Sequence, residues 1–285
     1  IEIKGLSPHT VRAYAYDLLV FYRWWFANRK KAFKKLNTFD LQSWIEYQRK
    51  QNAKPASINR RLSAIESFYR FSFGENIRRS NMVSHPTRGY RNIGRKRLGV
   101  LSVRRHPSIE PSLRVKMPRP LINPLEAEEI QRFFKVLRHY RDEVIVLLML
   151  FCGLRSAEVI DLKMDNVDFI RKRIRVWGKG GKERILPLPD RLIYAMKKYL
   201  SLERPDVSQS KHFLVVLHAD SRGEKMTLIG LRSLFRYWRE KTGVKKAHPH
   251  NFRHSFGTNM ARYGVSLPVL QKMMGHAEFK HTLRY

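Results

Sequence analysis

Six side chains in the second half of the chain have the types that phosphoryl transfer requires. A phosphodiester under attack gathers negative charge on its two non-bridging oxygens, and paired guanidinium groups hold such oxygens by charge-assisted hydrogen bonds without a metal. A phenol can act as the nucleophile, while imidazole and ammonium groups can move the protons. In chain order the six are Arg155, Lys179, His250, Arg253, His276 and Tyr285.

His250 and Arg253 lie at the start of a predicted helix that opens at Pro249, and their i, i+3 spacing gives them a shared face. His254 follows one turn after His250, and two histidines at this spacing can bind Zn²⁺. No cysteine lies nearby, so we expect no metal site. We interpret His254 as a core histidine.

Arg155 is predicted to lie at a junction between two helices. The apolar run 144–151 indicates a buried helix that ends near Gly153, and a new helix begins around Arg155. Glu158 lies one turn further on and could orient a neighbouring arginine or histidine, which makes it a supporting residue. By itself, Arg155 would more often be a structural ion pair.

Lys179 is predicted to lie at or near the tip of a β-hairpin. Apolar and basic residues alternate over 173–176, which is typical of a half-buried strand. The glycine-rich stretch 178–181 supplies a turn, and apolar residues over 185–188 indicate the return strand. By itself, Lys179 would be an exposed lysine.

Basic residues also occur on the polar faces of predicted helices. Apolar residues at three- and four-residue spacing over 7–73 predict three or four amphipathic helices in a small bundle. Arg60 and Arg61 lie on its outer face and are candidate DNA ligands. Arg232 and Arg236 lie opposite the apolar face of a later helix and form a second candidate phosphate-contacting stripe. A solvated polar face is the alternative for any one of these arginines.

The charge balance points to a polyanionic partner. Lysine and arginine number 57 against 24 acidic residues, which gives a formal net charge of +33. Such an excess repels itself unless a polyanion lies nearby, and nucleic acid is the usual one. An ordinary enzyme of small neutral metabolites does not need this charge. We therefore expect nucleic acid as the partner and no small-molecule substrate.

The single cysteine, Cys152, excludes an intramolecular disulfide and fits a reducing interior. For a chain that binds nucleic acid, we expect a cytoplasmic location near the nucleoid. It lies in an apolar run, so a buried thiol is expected. The longest apolar run, 144–152, is too short to span a bilayer, and no membrane partner is expected. Because the first residue is Ile1, we expect that the chain is cut at its N-terminus.

Composition divides the chain into three parts. The predicted parts are a helical domain over 1–74, a basic linker over 75–120 and a further domain over 121–285. The linker holds twelve lysines and arginines but only two acids, which suggests that it lies along DNA; a disordered basic spacer is the alternative. The first helix after it is predicted to start at 123–124, where Asn precedes Pro.

Four ordered stretches resemble the catalytic motifs of the tyrosine recombinase (phage integrase-type) family. Any one motif is weak, whereas the ordered set is highly specific. The similarity covers about 123–285, and residues 7–73 resemble the family's core-binding domain more loosely. The stretches are the first arginine box at 153–158 (GLRSAE), the hairpin lysine box at 178–184 (GKGGKER), the His-x-x-Arg box within 248–258 (HPHNFRHSFGT), and Met-Gly-His at 274–276 with Tyr285 nine residues after His276.

The resemblance implies a mechanism for these residues. Tyr285 would attack the scissile phosphate and form a 3′-phosphotyrosyl link, with His250 as its base. Lys179 would protonate the departing 5′-oxygen. Because the phosphotyrosyl link keeps the bond energy, no cofactor, whether nucleotide or metal, is expected. The groups that would stabilise the pentacovalent phosphate are Arg155, Arg253 and His276.

The resemblance also implies a fold and an assembly. We expect a mainly α protein with a small β-hairpin or sheet: an α+β catalytic domain and an N-terminal helical bundle that together clamp DNA. Four protomers on two duplexes would form the working homo-oligomer, a tetrameric synapse. In this family helices follow the tyrosine, so we expect that the chain lacks its C-terminal tail.

The long linker favours a mobile-element or phage-type integrase over a compact chromosome-dimer (Xer-type) recombinase. Three alternatives remain open at this point. A type IB topoisomerase uses the same chemistry on one duplex, a DNA-binding module could carry vestigial catalytic residues, and a metal-dependent nuclease is the third.

Overall fold

The computed structural model describes residues 8–29, 31–77, 113–117, 122–178, 181–206 and 209–285. Contacts divide the chain into two compact units, Ile1–Arg119 and Pro120–Tyr285, and each is described by itself. Most of the predicted linker 75–120 lies outside the described residues, so the division into 1–74, 75–120 and 121–285 stays a prediction. No helix in the described ranges combines the length and the apolar composition that a membrane crossing requires.

The first unit is a small helical bundle with an aromatic core. Phe21, Trp25, Trp44 and Tyr69 are almost completely buried within it. Residue 7, where the predicted helical stretch 7–73 begins, lies outside the described residues. The elements are α1 (Pro8–Asn28), a 3₁₀ turn (Phe33–Lys35), α2 (Thr38–Lys50) and α3 (Pro55–Phe73).

A short part of the predicted linker packs on this bundle. Leu113 and Val115 contact its apolar core. Asn59 on α3 exchanges two hydrogen bonds with the backbone of Val115, both 2.8 Å long. Arg114 also pairs with Glu66 at 2.6 Å. Residues 113–117 are therefore fastened to the helical unit.

The second unit is mostly helical and surrounds a buried central helix. Residues 144–149 of this helix are fully buried, because its neighbours cover every side of it. The predicted mainly α fold with a small sheet is confirmed. The helices are α4 (Ala127–Phe134), α5 (Tyr140–Phe151), α6 (Ser156–Ile160), α7 (Asp190–Leu202), α8 (Leu228–Thr242), α9 (Pro249–Arg262) and α10 (Leu267–Met274), with 3₁₀ turns at Met164–Asn166 and Phe279–His281.

The sheet of the second unit has three antiparallel strands in the order β1-β2-β3. Alternation along the strands directs Ile174 and Leu186, which pair across β2 and β3, into the core. The predicted hairpin is confirmed. Lys179 and Gly180, at its turn, lie outside the described residues. The strands are β1 (Val167–Asp168), β2 (Arg173–Trp177) and β3 (Glu183–Pro187).

The helix predicted to start at 123–124 begins three residues later, at Ala127. Lys246 binds the Asn123 side chain and the Pro124 carbonyl at 3.2 and 3.0 Å, which holds this dipeptide outside the helix. The backbone N–H of Glu126 instead donates to the Glu129 side chain at 2.9 Å, as in a capping box. The prediction was wrong because this tertiary contact is not visible in the local sequence.

Candidate active site

The buried carboxylate of Glu158 organises the first part of the site. Arg155, the N-cap of α6, donates its backbone N–H and one guanidinium N–H to Glu158, both at 2.8 Å. Burial opposes ionisation of Glu158, but hydrogen bonds and charge from Arg184, and then from Arg155, outweigh burial and lower its pKa. The carboxylate is therefore charged and holds Arg155 in one orientation, whereas its supporting role in catalysis stays a prediction.

Arg184 on β3 is a second cation at Glu158. Its two terminal nitrogens donate to the two carboxylate oxygens at 3.0 and 2.7 Å. Its Nε donates to the carbonyl of Met273 near the end of α10 at 2.9 Å. One side chain thus ties the hairpin to α6 and α10.

Arg253 lies almost completely buried beside this cluster, with 5% of its side chain exposed. It donates to the carbonyl of Gly153 and, at 2.6 Å, to that of Met274. Burial first, and then the charge of Arg155, lowers the pKa of Arg253 to about 9. Five guanidinium donors are available and these two carbonyls take only part of them, so Arg253 keeps donors for an anion.

The turn after α10 brings His276 to the same place. Gly275 has a left-handed φ of 61°, which favours glycine, and its carbonyl accepts from Arg155 at 2.9 Å. His276 Nδ1 then lies 2.9 Å from the Thr282 hydroxyl. Burial, followed by the charges of Arg253 and Arg155, lowers the pKa of His276 to about 4. His276 is therefore neutral at pH 7.

Tyr285 lies against α9. Its hydroxyl is 2.8 Å from Nδ1 of His254, and its ring is parallel to that of His276 at a centroid distance of 6.3 Å. Burial raises the pKa of Tyr285, partly offset by Arg253 and other cations. His254 is half-buried and contacts the phenol, so the interpretation of His254 as a core histidine was wrong.

His250 lies on the same face of α9, one turn before His254, with the two rings 6.3 Å apart. Desolvation, then Arg253 and Arg155, lowers the pKa of His250. Within the described ranges, Tyr285 makes no hydrogen bond with His250, whose role as base stays a prediction. No group of three potential metal ligands occurs in the described part of the chain.

The site carries a surplus of positive charge. In the described part of the chain, the guanidinium groups of Arg155, Arg184 and Arg253 surround one carboxylate, that of Glu158. The charges of Arg155 and Arg253 both lower the pKa of His250, His276 and Tyr285, so the two guanidinium groups act on all three side chains. The structure thus brings together five of the predicted residues, and an anion would offset the unbalanced charge. The five are Arg155, His250, Arg253, His276 and Tyr285.

Lys179 is outside the described residues, but Gly178 before it is described. A Cβ at Gly178 would lie 3.6 Å from Nη1 of Arg184 and 3.8 Å from Oε1 of Glu158. The backbone N–H of Gly178 donates to the Lys182 carbonyl at 2.7 Å, which closes the base of the hairpin. The base of this turn therefore lies next to the ion pair of Glu158 and Arg184.

The predicted DNA ligands have two different environments. Arg60 pairs through two nitrogens with the buried Asp17 of α1, and Arg61 contacts Asp17 and Gln48. Arg232 and Arg236 are exposed on α8, and in the described structure neither makes a hydrogen bond or ion pair. The α8 pair is thus free to contact phosphates, whereas Arg60 and Arg61 already connect helices.

Three residues that shape the site were not predicted to take part in it. Arg184 lies two residues before the buried Leu186 on β3, so strand alternation would have directed it inward. His254 and Gly257 share the face of α9 that Tyr285 contacts, since they are three residues apart. Their spacing was visible in the sequence, but the partner on that face was not.

The second half of the chain matches a known protein family. A profile described as "Phage integrase family" matches residues 123–285, more than half of the chain. The chain belongs to the phage integrase family. A second profile of this family, described as "Phage integrase, N-terminal SAM-like domain", matches residues 1–76. The predicted resemblance to tyrosine recombinases is confirmed.

Individual members of the integrase family match nearly the whole chain. Tyrosine recombinase XerD of Proteus mirabilis is 26% identical, over 99% of this chain and 83% of its own length. Tyrosine recombinase XerA of Thermococcus kodakarensis is 29% identical, over 100% of this chain and 86% of its own length. The solved structure of the Tn1549 transposon integrase with transposon right-end DNA has a TM-score of 0.72 at 16% identity, and the match covers 98% of this chain and 89% of that one. These similarities confirm the fold and a recombinase-type enzyme.

Proposed function

We propose that this chain is a site-specific DNA recombinase that cleaves and rejoins strands through a 3′-phosphotyrosyl intermediate on Tyr285. The observation that carries the proposal is the pair Arg155 and Arg253, held by one carboxylate and three backbone carbonyls beside the Tyr285 ring. Two fixed guanidinium groups suit the two non-bridging oxygens of a phosphodiester. The net charge of +33 supports DNA as the polyanion.

The reaction would run as two reversible transfers. The Tyr285 oxygen attacks phosphorus, its proton passes to a histidine of α9, and the bond from phosphorus to the 5′-oxygen breaks. Lys179 gives a proton to that oxygen, which leaves as a 5′-hydroxyl. A 5′-hydroxyl from a second duplex then reverses these steps. Arg155, Arg253 and His276 stabilise the charge of the pentacovalent state.

Double-stranded DNA is the proposed partner, and four protomers on two duplexes form the proposed assembly. The structure of the Tn1549 transposon integrase contains transposon DNA, which supports a DNA-binding surface on the same fold. We assign the helical unit a DNA-binding role and propose that the basic stretch 75–120 contributes phosphate contacts.

We propose that the enzyme recombines a mobile DNA element, because the basic stretch 75–120 is long. The sequence relatives XerD and XerA favour a chromosomal role as the second candidate, since they match the chain over 99% of its length or more. Attachment-like repeats in the DNA that flanks the gene would support the first candidate. Recombination only at a chromosomal dimer-resolution site would support the second.

A nicked suicide duplex tests the chemistry. On such a substrate the cleaved strand end diffuses away, and the wild-type chain is expected to form a covalent DNA adduct that survives denaturation. The adduct should vanish in Tyr285→Phe and persist in chelator. An adduct on the Tyr285→Phe variant contradicts the nucleophile, loss in chelator supports a metal-dependent nuclease, and no wild-type adduct supports a DNA-binding module.

Two further assays separate the remaining alternatives. Exchange between two marked duplexes is expected of a recombinase, whereas relaxation of one supercoiled circle without exchange supports a topoisomerase. Lys179→Ala should slow cleavage by about 100-fold or more and recover on a substrate with a 5′-bridging sulfur, which leaves without a proton. Absence of recovery would remove Lys179 from the acid role.

A further inference from the structure

Two residues of α9 form a seat for Tyr285, which we define as His254 and Gly257. The phenol oxygen lies 2.8 Å from His254 Nδ1. A Cβ at position 257 would lie only 2.6 Å from Cε1 of the Tyr285 ring, so the ring rests directly on the backbone of α9. Because 254 and 257 are three residues apart, they face the ring together.

We propose that His254, rather than His250, accepts the proton of Tyr285 as the phenol attacks DNA. This inference rests on the proposed phosphotyrosyl chemistry and assigns one of its steps. Positions 250, 254 and 257 follow one another along the same face, and Tyr285 lies over its far end. His250 is a turn away, about 6 Å along the helix axis, which leaves His250 beside the arginines.

The proton transfer balances in both directions. The Tyr285 Oη–H proton moves to His254 Nδ1 while the Oη–P bond forms, and the 5′-oxygen departs with a proton from Lys179. On rejoining, Lys179 takes the proton of the incoming 5′-hydroxyl. His254 then returns its proton to the Tyr285 oxygen as the Oη–P bond breaks.

DNA binding would control this step. In the free protein, burial first, and then His250, Arg284 and Arg253, lowers the pKa of His254 to about 4, while burial raises that of Tyr285. The proton therefore stays on the phenol. A bound phosphodiester would offset the cationic neighbours and raise the basicity of His254. The titratable or charged groups that face His254 are His250, Arg253, His276, Arg284 and Tyr285.

The sharpest test is the pH profile of single-turnover cleavage in His254→Asn. The asparagine side chain can place an oxygen or nitrogen near the position of Nδ1, so it keeps the hydrogen bond but cannot take a proton. Wild-type cleavage is expected to be nearly flat from pH 6 to 8. The variant should cleave about 100-fold more slowly at pH 7 and gain about tenfold per pH unit, because solvent must then remove the proton.

Two matched variants complete the cleavage test. His250→Asn should lower the cleavage rate without making it depend on pH. His218 is an exposed histidine of the same unit, and His218→Asn should match wild type. A flat profile in His254→Asn with a rate near wild type overturns the inference. So does a steep profile that appears in His250→Asn instead.

The proposed function fails separately from this inference. If wild type forms no adduct, the phosphotyrosyl chemistry is contradicted; if the adduct forms and His254→Asn is flat, only the inference fails. Nitrogen NMR of histidine-labelled wild type gives a measurement that needs no folded His254 variant. The resonance of one histidine should change in Tyr285→Phe, and ring signals unaffected by that substitution contradict the contact.

Discussion

Arg184 on β3 and Glu158 on α6 form a two-point ion pair, with nitrogen–oxygen distances of 3.0 and 2.7 Å. Both side chains are nearly buried. The same guanidinium also holds the Met273 carbonyl, and Glu158 in turn holds Arg155. The pair is therefore the joint through which the hairpin, α6 and the end of α10 keep a fixed relation.

Removal of Arg184 should damage stability more than most arginine substitutions do. Arg184→Ala leaves Glu158 buried without its strongest partner, and breaking a buried pair in this way costs about 3 kcal/mol. Urea unfolding measures the loss. Arg175→Ala is the matched control, because its pair with Glu183 on the same hairpin is exposed and should contribute less than about 1 kcal/mol. Equal losses in the free energy of unfolding in the two variants would contradict a special structural role for the Arg184–Glu158 pair.

The free protein should lose stability as the solution is acidified from neutral pH. His254 and His276 have folded pKa values of about 4, below the value of about 6.5 in an unfolded chain. Between these values the unfolded state binds protons that the folded state does not. Each histidine then lowers the free energy of unfolding by at most about 1.4 kcal/mol per pH unit.

A further loss of stability is expected below about pH 4.3, the pKa of a glutamate in an unfolded chain. The pKa of Glu158 is lowered in the folded protein, so its charged form stabilises the fold above that pH. This contribution disappears as the folded carboxylate becomes protonated. Urea unfolding at pH 7, 6 and 5 checks the histidine range. His276→Asn should reduce the pH dependence by about one proton. Unfolding curves that coincide from pH 7 to 5 would show that the two imidazoles are not held neutral.

Gly257→Ala should separate the position of Tyr285 from the fold. The added methyl group would lie 2.6 Å from the Tyr285 ring, so the ring must move away from His254, while alanine favours the α9 helix itself. We expect unchanged DNA affinity and at least about a tenfold slower cleavage, since misplacement by about 1 Å is costly. Gly230→Ala on α8 is the control, because its methyl group meets ordinary contacts. Cleavage by Gly257→Ala at the wild-type rate would contradict the proposed positioning of Tyr285 by His254 and Gly257.

Local pattern predicted most of the elements. The helices of the bundle, the buried α5, the hairpin and the start of α9 at Pro249 follow from periodicity, glycine and proline signals that act within a few residues. The predicted site residues Arg155, Arg253, His276 and Tyr285 likewise follow from an ordered set of motifs. Each of these signals is contained in a short window of sequence.

Long-range partners were beyond such patterns. The contact of His254 with Tyr285 joins residues 31 positions apart, and that of Arg184 with Met273 joins residues 89 apart. Within the stretch predicted as a linker, the hydrogen bonds of Val115 with Asn59 likewise join residues 56 positions apart. A polar residue's local spacing says which face it occupies, whereas its partner depends on tertiary packing.

Arg232 and Arg236 should contribute to DNA affinity through charge alone. Both are exposed on α8 and lie one turn apart, so they can reach successive phosphates without losing a partner among the residues that the structure describes. Each substitution by alanine should reduce the slope of log K against log salt by about 0.9. Fluorescence anisotropy with a mixed-sequence duplex, between about 50 and 200 mM salt, measures the slope.

Arg60 provides the contrasting case, because its guanidinium already forms two hydrogen bonds with Asp17, which is 3% exposed. Among the described residues, Arg60→Ala leaves that carboxylate with only the longer contact to Arg61 at 3.6 Å. We expect a loss of about 1–3 kcal/mol in the free energy of unfolding and an unchanged salt slope. An arginine that stays paired with Asp17 does not displace a counterion from a DNA phosphate. If Arg60→Ala reduced the slope of log K against log salt as much as the α8 substitutions do, Arg60 would contact DNA instead.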